Sequence, residues 1–183
     1  MKITKESTLP IHSILKTEES TYDYVDSFFV QFLDEDHKIE FADISEAFLQ
    51  SKPGWISVLM RWRDRLVKPL GLKTSKKSTE EEIRNFTMEK GARLGIFHVY
   101  DVSRNEVILG ENDRHLDFRI SIMLEDHPNN IKNLSISSIV IFNHWFGRLY
   151  FMVIKPFHNI IVPEILKGIV AKIESENEDK HHQ

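Results

Sequence analysis

The chain has 183 residues, 28 % of them charged and 41 % hydrophobic, with a formal net charge of −4 and no cysteine. That length suits one domain with a sizeable core, and the slight acidic balance argues against a nucleic-acid face, which shows as a basic excess. The missing cysteine excludes disulfides, thiolate nucleophiles and zinc–thiolate sites.

The N-terminus lacks an apolar leader, and no run approaches the ~18 apolar residues of a membrane span. A cytoplasmic protein without a nucleic-acid or membrane partner is therefore the expectation. The basic residues between Arg61 and Lys77 read as a solvated helix face.

In chain order, residues 1–21 are polar and without period, and are expected to form an irregular arm. Tyr22–Leu33 is aromatic and β-prone, a first strand. Asp43 with Glu46 has capping-box spacing for a short helix carrying Ala47, Phe48 and Leu49. Pro53 and Gly54 open a second helix, with Trp55, Val58, Leu59, Trp62 and Leu66 on one face and Pro69 and Gly71 at its end. Lys73–Gly91 is a polar connection.

From Leu94 the period switches to two. Candidate strands are 95–103, 106–111, 115–125, 134–144 and 148–155, an antiparallel meander. The stretch 106–119 is the most informative. With Asn112-Asp113 as a two-residue turn, Glu111 faces Arg114, Leu109 faces Leu116, Val107 faces Phe118 and Glu106 faces Arg119. One face then carries Val107, Leu109, Leu116, Phe118, Ile120 and Ile122. The other carries Glu106, Gly110, His115, Asp117, Arg119 and Ser121.

Pro156 ends the last strand and Asn159 caps a final helix. Its stripe is Val162, Ile165, Leu166, Ile169, Val170 and Ile173. Residues 22–173 form the domain, and residues 174–183 a disordered charged tail. The expected class is α+β: a curved antiparallel sheet of about six strands, two short helices after the first strand, and a long C-terminal helix packed on the sheet.

This order resembles the helix-grip fold of the START, Bet v 1 and polyketide-cyclase-like superfamily. There a curved sheet wraps the terminal helix and encloses a cavity. More narrowly, Gly110-Glu111, Asp113, His115-Leu-Asp-Phe-Arg119, Gly147-Arg-Leu-Tyr150 and Pro156-Phe-His158 are similar to a family of uncharacterised bacterial domains. Some of those are fused behind a short-chain-dehydrogenase-like NAD(P)-binding domain. This chain has no G-x-G-x-x-G and no length to spare for a dinucleotide fold of its own.

Two readings of the polar face stay open. In one, His115 is an acid–base group oriented by Asp117, and Arg119 polarises a carbonyl, giving a cofactor-free cyclase, isomerase or dehydratase. In the other these residues are a cross-strand lattice on the outer face. The register favours the lattice, since Leu109, Leu116 and Phe118 claim the helix side. No H-E-x-x-H or G-x-S-x-G is present, and no metal or cofactor is expected.

The aromatics suggest a pocket for a small hydrophobic molecule. Its expected lining is Trp55 and Trp62 with Phe28, Phe118 and Tyr150, and Glu111, Asp113, Arg148 and His158 stand at the edge. A third reading is an interaction protein without a cavity. Strands apolar on both faces, such as 149–154 and 139–142, require cover on the outer face by the arm or a second subunit. A homodimer is the economical form.

Overall fold

The computed structural model describes residues 1–16, 22–36, 38–50, 86–94 and 97–181, and side chains of the final helix as far as Glu176. The elements are β1 (Ile3–Glu6), β2 (Tyr24–Leu33), α1 (Phe41–Gln50), β3 (Arg93–Leu94), β4 (Phe97–Val102), β5 (Glu106–Asn112), β6 (Leu116–His127), β7 (Ile131–Phe142) and α2 (Trp145–His181). The expected helix at 53–68, with Trp55 and Trp62, lies outside the described residues.

The strands form an antiparallel seven-stranded sheet in the order β1-β2-β7-β6-β5-β4-β3. Strands β4 to β7 are four of the five strands of the anticipated meander, β3 is a short edge strand outside it, and β2 pairs with β7 so that the first and last long strands are neighbours. Alternation sends Phe28, Val30, Phe32, Val107, Leu109, Ile122, Leu124, Leu134 and Ile136 to one face. There they meet Ile44 and Ala47 of α1 and Val162, Leu166, Ile169, Val170 and Ile173 of α2 in one core. Fully burying each such side chain contributes about 1.5–3 kcal/mol. The fold is thus α+β, an antiparallel sheet with a long C-terminal helix packed on one face. The expected stripe is what α2 buries.

Several expectations change. The strand anticipated at Arg148–Lys155 is the first part of α2, which starts at Trp145 and passes through Pro156 and Pro163. Residues apolar on both faces of a notional strand separate cleanly on a helical period. Phe151 and His158 turn toward the sheet, whereas Trp145, Leu149, Met152 and Val153 turn to solvent. Asn159 is therefore mid-helix rather than a cap, and the helix continues past Ile173 to His181. Joined this way, Trp145–Glu176 is long and apolar enough to cross a membrane by length and composition alone, an 18-residue window within it having a mean hydropathy of 1.3.

The helix α1 opens three residues earlier than expected, with the Asp43 carboxylate accepting the Glu40 N–H at 2.8 Å. The β5–β6 register differs by four residues: Leu109 faces Ile120, Gly110 faces Arg119 and Glu111 faces Phe118. Four is even, so every side chain keeps its predicted face. The arm is not wholly irregular, because Ile3–Glu6 adds an edge strand to β2.

Residues 8–15 of the arm lie on the face away from the helices. Leu9 and Leu15 pack there with Ile108 and Ile139, and Ile14, Tyr22, Val25 and Tyr100 adjoin them. A row of small residues lets the chain approach. Ser27, Ser137 and Ser121 sit side by side on β2, β7 and β6, and the Ser27 hydroxyl donates to the Thr8 carbonyl at 2.7 Å. The Glu106 carboxylate, 1 % exposed, then ties the arm down. It accepts hydrogen bonds from the Ser13 hydroxyl at 2.6 Å, the Ile14 N–H at 2.8 Å and the Ser121 hydroxyl.

Candidate functional site

Two places combine geometry with chemistry: a buried polar cluster beneath the first half of α2, and a cleft beside α1. The cluster centres on Asp26. Positions 28, 30 and 32 of β2 face the core, so period two turns Asp26 and Tyr24 inward as well. The Asp26 carboxylate is 1 % exposed. It accepts the Tyr24 hydroxyl at 2.6 Å, and stands 3.1 Å from His158 Nε2 and 3.0 Å from the Lys5 ammonium. Ser138 Oγ lies 3.3 Å from the same Nε2, and Lys5 also donates to Asn159 of α2.

Burial alone would raise the Asp26 pKa, but the His158, Tyr24 and Lys5 contacts outweigh it and hold the carboxyl below its ordinary value. Burial, and then the hydrogen bond to Asp26, push the Tyr24 phenol well above its usual value, so it stays protonated. The carboxylate and the serine hydroxyl meet one and the same imidazole nitrogen. A nucleophile relay needs them on opposite nitrogens, so Ser138 is not activated. The cluster is a clasp that fixes α2 to β2, β7 and the arm.

The residues expected to carry catalysis do not converge. His115 is in the loop between β5 and β6, edge-on to Phe146 with ring centroids 5.3 Å apart. Asp117 accepts the Asp113 N–H at 3.1 Å and the Asn143 amide at 3.0 Å, closing that loop against the start of α2. Arg119 lies on the outer face, its guanidinium 3.6 Å from the centre of the Tyr100 ring, and donates to the Phe118 carbonyl at 2.8 Å. Asp117 and Arg119 are engaged in structural hydrogen bonds, whereas the buried Nδ1 of His115 has no hydrogen-bond partner.

The glycines of the same motif explain its shape. A Cβ at Gly147 would come 2.1 Å from the His115 carbonyl oxygen, and one at Gly110 would come 2.3 Å from that of Phe118.

The expected ligand-edge residues scatter too. Arg148 pairs with Asp23 at 3.2 Å, Phe118 packs edge-on to Phe97, and the Glu111 carboxylate is 3.2 Å from His98 and 3.6 Å from Arg93. Asp113 bonds the Arg114 N–H at 2.7 Å, and Tyr150 is half-buried on α2. Of the described members of the set, only His158 joins the Asp26 cluster. Sequence reasoning missed Asp26, Ser138 and Lys5. The signal for Asp26 was a lone acid at an inward position of an apolar strand.

The cleft has a volume of about 1410 Å³. Apolar side chains from Ile39, Phe41, Leu49, Phe86, Met88 and Leu124 line it, and Arg104, His127 and Lys132 stand among its polar residues. Buried Asp34 shapes one wall, accepting the Lys38 and Ile39 N–H groups at 3.2 Å each and pairing with Lys132 at 3.5 Å. Burial alone would lower the Lys132 pKa, but Asp126 and Asp34 outweigh it and raise it. Among the described residues no group of three or more His, Asp or Glu side chains could hold a metal ion.

The profile of a family described as a protein of unknown function, DUF2867, matches residues 19–165. The chain belongs to the DUF2867 family. No curated protein matches this DUF2867 chain. Two solved structures are similar to it. A conserved protein from Geobacillus kaustophilus shares 10 % identity with a TM-score of 0.39, over 81 % of this chain and 94 % of its own. The hypothetical protein jhp0584 from Helicobacter pylori shares 12 % identity with a TM-score of 0.40, over 80 % of this chain and 85 % of its own.

Proposed function

We propose that the protein binds a small apolar or aromatic molecule, without a resident cofactor, in the cleft between α1 and the β4–β5 and β6–β7 turns. The observation that carries this reading is the cleft itself, about 1410 Å³ and open to solvent, with apolar side chains and a nearly equal share of polar surface in its walls. Binding pockets for small molecules are typically about 300–1,000 Å³ and predominantly apolar, so a ligand would fill the apolar part of this larger cleft. The sheet-and-helix order supports placing the chain near the helix-grip superfamily, whose ligands lie between sheet and terminal helix. In this chain the space under Val162–Ile173 is filled by core side chains, so the ligand site shifts toward α1. The likeness to domains fused behind NAD(P)-binding partners belongs to the same reading, with a cytoplasmic setting.

The test is titration with the fluorescent apolar probe N-phenyl-1-naphthylamine. Ala42 lines the cleft from an exposed position on α1, so Ala42→Trp fills space without touching the core. Saturable binding to the native chain, weakened about tenfold or more in Ala42→Trp, is expected, which corresponds to about 1.4 kcal/mol. Equal binding by a folded Ala42→Trp protein would contradict this site.

A further inference from the structure

The two halves of α2 are held to the sheet by different forces. The second half buries Val162, Leu166, Ile169, Val170 and Ile173 in the main core, the middle three at 0 % exposure. Withdrawing that stripe would expose several whole apolar side chains, so this half opens only with the fold itself. From Trp145 to Ile161, by contrast, every residue except Gly147 is exposed or half-buried. This half rests on ring edges and polar contacts. The Phe151 ring lies 4.6 Å from that of Tyr24 and 5.5 Å from that of Phe142, Arg148 pairs with Asp23 at 3.2 Å, and Phe146 and Gly147 meet His115. Its remaining tie is His158 with Asp26 and Ser138, beside Asn159 with Lys5.

The backbone is weakest where the halves join. Pro156 and Pro163 have no N–H to donate to the carbonyls of Met152 and Asn159, four residues back, and each ring crowds the preceding turn. Helical hydrogen bonds are therefore missing on both sides of His158. A helix interrupted in this way bends at its prolines more readily than elsewhere.

We propose that residues 145–159 are a hinged flap, which swings off the end of the sheet about Pro163 while residues 162–173 stay in the core. The Asp26–His158 contact is its catch. Opening uncovers the Tyr24 and Phe142 rings and the Phe28 ring that His158 meets edge-on. It also brings water to the Asp26 carboxylate, 1 % exposed when the flap is shut. Lys5 and Tyr24 belong to strands β1 and β2, so they stay beside Asp26 when His158 leaves. Opening thus strands no buried charge, which is what would otherwise make such a motion costly.

Hydrogen exchange of the full native chain, resolved along α2, is the test. Amides of residues 149–158 are expected to exchange roughly a hundredfold faster than those of 164–173, with the step at Pro163. Equal protection in both segments overturns the proposal, and so does a smooth rise from Trp145 to Ile173, which is fraying from one end. Two variants test the parts. Pro163→Ala restores a helical donor at the hinge and should slow exchange of 149–158 about tenfold. His158→Ala removes the catch and should speed exchange of 149–158 about tenfold while 164–173 stay unchanged. No slowing in Pro163→Ala, or equal acceleration of both segments in His158→Ala, would mean that α2 opens as one piece.

Discussion

Asp26 is a buried carboxylate with three polar partners around it. Its carboxylate holds Tyr24, Lys5 and His158 together, so Asp26→Ala strands three donors at the sheet–helix junction. The expected cost near neutral pH is about 3 kcal/mol, read by urea unfolding. The pH dependence follows from the depressed pKa. Stability from this group is complete above the unfolded value of about 3.9 and is lost as pH falls through the lower folded value. The gap between native and Asp26→Ala proteins should therefore close at acid pH, and a gap unchanged well below pH 4 would contradict the assignment. Glu106 is the corresponding anchor on the other face. Glu106→Ala leaves the Ser13 hydroxyl and Ile14 N–H without their acceptor. Hydrogen exchange of residues 3–16 should then accelerate markedly while β6 and β7 stay protected. Uniform acceleration across the sheet would argue against a local latch.

At the level of elements, what the sequence made legible follows from periodicity. The strands from β4 to β7 and the Val162–Ile173 stripe were readable because period two and period 3.6 each mark one buried face. The β5–β6 register was off by four because Asn112-Asp113 looks like a tight turn, whereas the loop is closed from outside by Asn143 donating to Asp117 and to the Asp113 carbonyl. That long-range contact leaves no local trace. The first half of α2 was misread for a different reason. Leu149-Tyr-Phe-Met-Val-Ile154 is β-prone and flanked by Pro156, and only tertiary contacts of Phe151 and His158 with β2 reveal its helical side. The candidate site suffered from the same gap. The His115–Asp117–Arg119 pattern was visible, but its spacing could not show that each residue serves a separate structural contact.

The whole molecule has three differently treated surfaces. The arm seals one sheet face through Leu9, Leu15 and Glu106. The helices seal the other, apart from the cleft beside α1. Among the described residues, the solvent side of the first half of α2 is apolar and exposed. The binding of a small apolar molecule proposed above rests on the cleft beside α1. The most direct test is native mass spectrometry of the protein purified under mild conditions, compared with its denatured mass. The account predicts a small apolar molecule that accompanies the folded chain, is lost on denaturation, and is retained less by Ala42→Trp. A bare folded mass, from protein that also fails to take up an apolar probe, would contradict it.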